Sequence, residues 1–355
     1  AKQTRLVSLD VFRGMTIAGM VLVNNPGTWG AIYSPLRHAE WHGVTPTDYI
    51  FPFFLFIVGI AIPIALGKRI EQGVSKDVYL KIFRRAAVIF LLGLFLAAFP
   101  YFDFANLRIP GVLQRIAVCY LIASIIFLHA DWKKLSIIAV LLLFVYWALM
   151  TLITVPNCAV TTIDDKACNL AAYLDRLILG ENHIWKQAKV YDPEGILSTI
   201  PAIVTTISGI LTGMWLKSNR TDLEKVGGIF FGGVILVALG WAWNFYFPMN
   251  KPLWTSSYVL YTSGMALCFL GFCYWLIDIK GYKKWSKPFV IFGVNALALF
   301  VFSGILTKIL GLIKVAGDDG KTISLYTWIY RNIFLPFGEP INASLMFAVS
   351  YILLW

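Results

Sequence analysis

The chain has 355 residues, of which 59% are hydrophobic and 14% are charged. An ordinary soluble domain carries about a quarter charged residues, so this composition argues against a soluble globular protein and indicates a polytopic membrane protein. The net charge of +11 would suit nucleic-acid binding in a soluble protein, but in a membrane protein basic residues first report orientation.

Apolar windows long enough to cross a membrane recur along the chain. A helix needs about 20 mostly apolar residues to span the hydrocarbon core, and the runs here are continuous rather than alternating, which argues against strands. The sequence predicts an all-α, polytopic membrane helical bundle, with residues 1–355 forming a single domain. Ten spans are predicted, at residues 8–25, 48–67, 82–98, 111–129, 135–153, 196–216, 228–247, 256–277, 288–307 and 341–355.

The basic residues are distributed unequally between the two sides of these spans. With the N-terminus inside, seventeen lysines and arginines face the cytoplasm and eleven face outward, most of the latter in two long segments. Because short cytoplasmic loops collect positive charge, this asymmetry predicts a cytoplasmic N-terminus, and no nucleic-acid partner is expected. The N-terminal stretch AKQTRLVSLD lacks a cleavage-type site and is not interpreted as a signal peptide.

The first span carries charge toward its cytoplasmic end. Asp10 and Arg13 in SLDVFRG are three residues apart, so they share a helical face and can pair. Arg13 lies a full turn inside the span and must face protein or water. Lys68, Arg84 and Arg85 are predicted near the same level, where snorkelling of span-end cations is the plainer explanation.

The segment RHAEWHGVTPTD, residues 37–48, precedes the second span and holds two of the four histidines, His38 and His42. Glu40 and Trp41 lie beside them and are predicted to contact the substrate, and Asp48 ends the segment. An imidazole at a wet membrane boundary can take a proton from a nucleophile near neutral pH, and a neighbouring carboxylate can orient it. The alternative is a solvated loop histidine with no chemical task.

Further polar groups lie at the outer ends of later spans, and the helices are expected to bring them into one substrate cavity. The residues concerned are Gln114, Arg115, Asp192, Glu194, Trp254 and Ser256. The alternative for Asp48, Arg115 and Glu194 is a set of structural ion pairs that closes the mouth of the bundle.

Two outer segments are long, 154–195 and 308–340. The first contains AAYLDRLILGENHIW, whose apolar spacing predicts an amphipathic helix, and its Cys158 and Cys168 could form a disulfide in an oxidising compartment. The second contains LYTWIYRNIFLPFGEP, interpreted as a re-entrant or interfacial helix.

No CxxC or HExxH motif occurs, so no metal site is predicted. The last span ends at Trp355 without a polar anchor, and the natural chain is expected to continue.

Six motifs taken together resemble the heparan-alpha-glucosaminide N-acetyltransferase family and its bacterial relatives. They are SLDVFRGMTIAGMVLVNN, HAEWHGVTPTDYIFPFFLFIVG, IPGVLQRIAVCY, YDPEGILSTIPAIVTTISGILTG, PLWTSSYVLYTSG and FGVNALALF, in the family's order over residues 8 to about 300. The resemblance implies a transmembrane acyltransferase that uses cytoplasmic acetyl-CoA to acetylate the amine of a glucosamine on the far side. For a bacterial relative it implies the inner membrane, and it suggests a homodimer in the lipid bilayer.

The resemblance also implies roles for individual residues. His38 corresponds to the family's active-site histidine and Asn24 to an asparagine at the end of the first span, while Asp48 would hold His38. His42 receives no role, because the animal enzyme has asparagine there. A cytoplasmic site for the donor would use Arg13 with Asp10, Lys68, Arg84 and Arg85. The large luminal region of the lysosomal members is not expected in this protein, so a small amino sugar or cell-wall fragment is the expected acceptor.

The residues also fit a rival class. A transporter of an amino sugar or other small polar solute likewise places charged groups within spans, although no inverted repeat is visible. A scaffold or receptor would explain the hydrophobicity but not the separate inner and outer polar clusters.

Overall fold

The structure, a computed structural model, describes residues 6–71, 73–317 and 321–355, without the side chains of Lys68 and Glu71. The regular secondary structure of these residues is helical apart from one antiparallel hairpin. The helices are α1 (Val7–Asn24), α2 (Ile50–Glu71), α3 (Lys76–Ala98), α4 (Val112–His129), α5 (Trp132–Leu152), α6 (Leu170–Leu179), α7 (Thr199–Lys217), α8 (Asp222–Trp243), α9 (Ser256–Cys273), α10 (Lys287–Val294), α11 (Ala296–Leu312), α12 (Leu325–Ile329) and α13 (Pro340–Leu353). The hairpin consists of β1 (Lys314–Ala316) and β2 (Thr322–Ser324), with Lys314 opposite Ser324.

Seven helices within the described ranges are long and apolar enough to cross a membrane: α1, α2, α4, α5, α7, α8 and α9. Two bent pairs, α10 with α11 at 73° and residues 325–337 with α13 at 119°, bring the number to nine if each pair is one span. The predicted all-α polytopic fold is confirmed, but the number of spans is not ten.

The differences from the predicted spans have local causes. The predicted span 82–98 lies in α3, whose first half carries Lys81, Arg84 and Arg85, so the helix is less apolar than its neighbours. The predicted span 288–307 is broken at Asn295, where α10 ends and α11 begins at a sharp angle.

The outer segments contain the elements that their patterns indicated. The predicted helix of segment 154–195 is α6, and Cys158 and Cys168 are joined by a disulfide. In segment 308–340 the hairpin is followed by α12, which continues to Phe337 before the chain turns sharply into α13.

Helices α2 and α7 pack closely at the centre of the bundle. A Cβ on Gly59 would lie 2.0 Å from the Thr206 carbonyl oxygen, so only glycine permits this approach of the two backbones. In the apolar stretch of α7, 67% of the residues are buried. The corresponding share is 22% in α5 and in α8, which form the periphery of the bundle.

The connections that carry the outer polar residues meet at one end of this bundle. They are the segments after α1, after α3, after α6 and after α8. His183 Nδ1 lies 2.7 Å from the Leu107 carbonyl oxygen, and Gly43 N–H donates to the Met249 carbonyl at 2.8 Å. Gly43 has φ of 103°, which favours glycine, so this turn is built into the sequence.

Candidate active site

His38 and Asp48 form the centre of the outer site. Asp48 lies in a 3₁₀ turn, Pro46–Tyr49, which precedes α2, and its Oδ2 accepts the backbone N–H groups of Thr45 at 3.0 Å and Ala39 at 3.1 Å. Its Oδ1 lies 2.7 Å from His38 Nδ1. The Asp48 side chain is 1% exposed and the His38 side chain 51% exposed, so a fixed carboxylate orients a ring that remains open to the cavity.

Lys251 completes this cluster from a distant part of the chain. Its Nζ lies 2.9 Å from His38 Nδ1 and 3.4 Å from Asp48 Oδ1. Burial lowers the pKa of the Lys251 ammonium, while the Asp48 carboxylate opposes that shift. Sequence reasoning counted Lys251 only as an outer cation. The available signal was its position immediately before the PLWTSS motif.

A cavity of about 380 Å³, called the outer cavity below, opens beside this cluster. The predicted site residues that line it are Asn24, His38, Glu40, Asp48 and Glu194. Its remaining lining mixes apolar side chains such as Met20 and Phe51 with the cations Arg108 and Lys251. A small polar molecule that entered here would therefore meet an imidazole, an amide and carboxylates together.

Arg108 joins the loop before α4 to the turn before α7. Its Nε donates to Asp192 Oδ2 at 2.8 Å and its Nη2 donates to Asp192 Oδ1 at 2.6 Å and also to Glu194. Burial works against the charge, but these carboxylates outweigh it and raise the pKa of Arg108. Asp192 is thus a buried partner of Arg108 rather than a cavity group. Arg108 was not predicted as a site residue, although it directly precedes the IPG motif.

Asp175 of α6 supports the same turn from beneath. Its Oδ1 accepts the Ile196 N–H at 2.8 Å, and its Oδ2 accepts the Asp192 N–H at 3.4 Å. Burial, with the nearby Asp192 charge, raises the pKa of Asp175 to about 6. This carboxyl group was not singled out from the sequence.

Two predicted site residues, Trp41 and Gln114, lie beside the outer cavity without lining it. Trp41 is buried, donates to the Ile163 carbonyl at 2.9 Å and contacts Tyr191 edge-on at 5.1 Å. Gln114 lines a neighbouring cavity of about 430 Å³, which shares Arg108 with the outer one.

Three more predicted residues make structural contacts in the core. Arg115 donates to the Gly195 carbonyl at 3.0 Å and stacks over Trp254 at 5.2 Å. Trp254 donates to Thr205 Oγ1 at 3.1 Å, and Ser256 donates to the Leu143 carbonyl at 2.8 Å. All three are buried and the structure does not bring them to the cavity, so these predicted substrate contacts are absent from its lining.

His42 differs from His38 in its surroundings. Its Nε2 lies 2.8 Å from Asp164 Oδ1 and its Nδ1 lies 3.4 Å from Asn250 Nδ2. His42 does not line the outer cavity, and it ties the histidine segment to the outer loop. Within the described part of the chain, histidine and aspartate side chains thus pair at two places, and of these the His38–Asp48 pair faces the cavity.

A second cavity, of about 480 Å³, lies toward the other end of α1 and carries a cluster of cations. Its cationic residues are Arg13, Lys81, Arg84 and Arg85. Arg13 Nη1 donates to Asp10 Oδ1 at 3.3 Å and to the Gly293 carbonyl at 3.2 Å. Arginine forks suit phosphate oxygens, so this inner cavity fits an anionic ligand. Lys81 was not predicted for this site, and the side chain of Lys68, which was, lies outside the described residues.

The two cavities approach each other within the bundle. On α2, Phe51 lines the outer cavity and Phe54, one turn later, lines the inner one. On α4, Val112 lines the outer cavity and the next residue, Leu113, lines the inner one. Arg13 and Asn24 are separated along α1 by about 16 Å at the rise of an α-helix. A long, thin ligand anchored in the inner cavity would thus have a short distance to cover.

Comparison with known proteins identifies similar sequences. The catalytic family model of heparan-alpha-glucosaminide N-acetyltransferase matches residues 5–175. The human protein of that name is 30% identical, with 84% of this chain and 52% of the human protein covered. The mouse protein is 28% identical, with 84% and 53% covered. The chain thus spans about half the length of these relatives, and the resemblance stated from its motifs is confirmed.

Proposed function

We propose that the chain, whose residues 5–175 match the catalytic model of the heparan-alpha-glucosaminide N-acetyltransferase family, is a transmembrane acetyltransferase. It moves an acetyl group from cytoplasmic acetyl-CoA to the amine of a glucosamine-type sugar on the extracytoplasmic side. The observation that carries this proposal is the His38–Asp48 pair in an outer cavity separated by a thin partition from a cationic inner cavity.

The inner cavity supports the choice of donor. Coenzyme A carries several phosphate charges at one end, which Arg84, Arg85 and Arg13 can bind as charge-assisted hydrogen-bond donors. Its pantetheine arm is thin and largely uncharged, and the apolar lining from Phe54 to Leu113 suits it. Bound in this way, the donor presents its thioester at the partition beneath His38.

His38 then acts as the general base. With Nδ1 held by Asp48, Nε2 takes a proton from the acceptor ammonium, and the freed amine attacks the thioester carbonyl carbon. Collapse of the tetrahedral intermediate expels the coenzyme A thiolate, which receives the proton from His38, and the second proton that the amine nitrogen loses passes through the regenerated ring to water in the cavity. The same ring could instead carry the acetyl group briefly on Nε2, and acetylation of the His38 peptide in the absence of acceptor separates these routes.

Asn24 is assigned to the oxyanion. It ends α1 at the cavity wall, where its amide N–H group can donate to the thioester oxygen as negative charge develops there. Glu40 and Glu194 line the same cavity and offer acceptor oxygens to the sugar ammonium and hydroxyl groups. Arg108 holds Glu194 in position for that contact.

Transport of an amino sugar is the second candidate function. The observation that favours it is the pair of cavities on opposite sides of a partition one helical turn thick on α2. A transporter would move unmodified glucosamine without acetyl-CoA. The acetyltransferase would not move glucosamine across the membrane, because the sugar meets the donor at the partition and leaves on the side from which it entered.

We further propose that the chain lies in a bacterial inner membrane as a homodimer with its N-terminus in the cytoplasm. The cation asymmetry of the loops supports the orientation. A reporter that functions only in the cytoplasm should be active when it is fused before residue 1. Cross-linking in the membrane should give a species of twice the mass of the chain.

The function is tested with purified protein in detergent, radiolabelled acetyl-CoA and glucosamine. Labelled N-acetylglucosamine is the expected product, and the transporter alternative predicts none. Proteoliposomes without acetyl-CoA provide the complementary test, since glucosamine uptake there would support transport.

A further inference from the structure

Three titratable groups meet within hydrogen-bond distance at the outer site. Lys251 Nζ lies 2.9 Å from Nδ1 and 3.4 Å from Nε2 of His38, and 3.4 Å from Asp48 Oδ1. His38 Nδ1 is in turn 2.7 Å from the same carboxylate oxygen. One carboxylate therefore serves both an imidazole and an ammonium.

This arrangement decides which group carries the positive charge. A carboxylate beside a histidine favours the imidazolium form, and an imidazolium cannot act as a base. An ammonium so close to the ring has the opposite effect, because two adjacent positive charges repel each other strongly where water is partly excluded. The Lys251 and Asp48 side chains are only 17% and 1% exposed, so water screens this repulsion mainly from the side of the His38 ring, which is 51% exposed.

We propose that Lys251 is a positioning residue whose ammonium offsets the Asp48 charge and keeps the His38 ring neutral, ready to accept a proton from the acceptor. The inference rests on the proposed acetyl transfer for its purpose, but not for its physical effect on the ring. Asp48 can thus orient the base without holding it in the protonated, inactive form.

The other charged or titratable groups around the cavity do not replace Lys251. Glu40 and Glu194 line it as carboxylates, and Arg108 is occupied by Asp192 and Glu194. Tyr191 also lines the cavity, Tyr258 donates to the Asp48 carbonyl at 2.5 Å, and Tyr49 faces Tyr261. Arg37, beside His38 in the chain, donates its Nε to the Ile32 carbonyl at 2.9 Å.

The backbone around Lys251 shows why its position is fixed. Asn250 Oδ1 accepts the Leu253 N–H at 2.8 Å, and Asn250 N–H donates to Thr255 Oγ1 at 3.0 Å. This compact turn is joined to the histidine segment by the Gly43–Met249 hydrogen bond. The ammonium is thus held against His38 by backbone contacts, so a neutral side chain there should change the charge and leave the turn in place.

The test compares neutral and charged replacements, Lys251→Gln and Lys251→Arg, with Lys251→Met as a second neutral variant. Diethyl pyrocarbonate acylates an imidazole in its neutral form and not in its protonated form, so mass spectrometry of the His38 peptide as a function of pH gives the midpoint of His38 modification. Acetyl transfer is measured over the same range, and thermal unfolding in detergent identifies the folded variants. Lys166→Gln, which removes an outer-loop cation that stacks on Trp41, is the matched control.

Both neutral variants should move the midpoint of His38 modification to higher pH by about one to two units, because Asp48 then stabilises the protonated ring unopposed. The acidic limb of acetyl transfer should move with it, while Lys251→Arg and Lys166→Gln, which keep the positive charge beside His38, should leave the midpoint of His38 modification where the wild type has it. An unchanged midpoint in folded Lys251→Gln and Lys251→Met would overturn the inference. A shifted midpoint in protein that transfers no acetyl group would support Lys251's effect and contradict the proposed function alone.

Discussion

His38 Nδ1 lies 2.7 Å from Asp48 Oδ1, and the two partners differ sharply in exposure, at 51% for the histidine side chain and 1% for the aspartate. The carboxylate is fixed from behind by two backbone N–H groups, so it cannot turn away from the ring. Nε2 is left for chemistry in the cavity. This division between a buried orienting group and an accessible base is the basis of the proposed mechanism.

Replacing the orienting carboxylate should lower activity strongly without unfolding the protein. In Asp48→Asn the amide oxygen can still accept the Ala39 and Thr45 N–H groups, but the NH₂ group then faces His38 and Lys251. We expect acetyl-transfer kcat/KM to fall by about 100-fold. Asp164→Asn alters the other histidine–aspartate pair, at 2.8 Å, and should retain wild-type activity. Equal losses in the two variants would contradict the assignment.

Neighbouring asparagines at the end of α1 should separate chemistry from stability. Asn24 lines the cavity, and Asn24→Ala should lower kcat by about 100-fold while the thermal midpoint stays unchanged. Asn25 is buried, donates to the Val21 carbonyl at 2.8 Å and accepts from Thr307 at 2.6 Å. Asn25→Ala should therefore lower the free energy of unfolding by about 1–3 kcal/mol. An Asn24→Ala enzyme with full kcat would remove the oxyanion role.

The cations of the inner cavity should govern donor affinity. Arg84→Gln and Arg85→Gln should each raise the KM for acetyl-CoA by about tenfold with little change in kcat, because each removes a charge-assisted contact to phosphate. Arg13→Gln should also weaken coenzyme A binding measured directly. Arg220 stacks on Trp215 and does not line this cavity, so Arg220→Gln is the matched control. Unchanged KM in all three cavity variants would place the donor elsewhere.

Asp175 should make stability depend on pH. Burial raises its pKa to about 6 in the folded protein, above the ordinary 3.8, so the folded state binds this proton more tightly than the unfolded state. The stabilisation is therefore complete below about pH 4 and is lost as the pH rises through 6. Relative to Asp175→Asn, the wild type should lose up to about 3 kcal/mol between pH 4 and 7. Thermal unfolding of both proteins across this range gives the difference, and parallel curves would contradict the shift.

The features that depend on local sequence could be predicted, whereas the contacts between residues far apart in the sequence could not. The apolar runs predicted helices, and His38 and Asp48 are only ten positions apart in a compact segment, so their contact could be anticipated. Lys251 meets His38 from 213 residues away, and Arg108 meets Asp192 across 84, distances at which no spacing rule applies. A single sequence cannot pair such partners, because only the packing of helices decides which loops meet.

Two further differences between the sequence predictions and the structure involve residues whose surroundings the sequence leaves open. Trp254 and Ser256 carry polar groups that the sequence leaves free to face a cavity, yet each donates to a neighbouring helix in the core. In a bundle interior with little water, a polar group can be satisfied equally by a hydrogen bond to another helix or by a hydrogen bond to a substrate. The break at Asn295 was missed for a related reason, since the apolar runs on both sides read as one continuous span.

The most direct test of the central claim is acetyl transfer by His38→Ala protein beside His42→Ala protein. Purified in detergent and shown to be folded by thermal unfolding, each is given radiolabelled acetyl-CoA and glucosamine, and labelled N-acetylglucosamine is counted. We predict that His38→Ala forms no product above background and that His42→Ala performs as the wild type does. Full activity of folded His38→Ala protein would contradict the account.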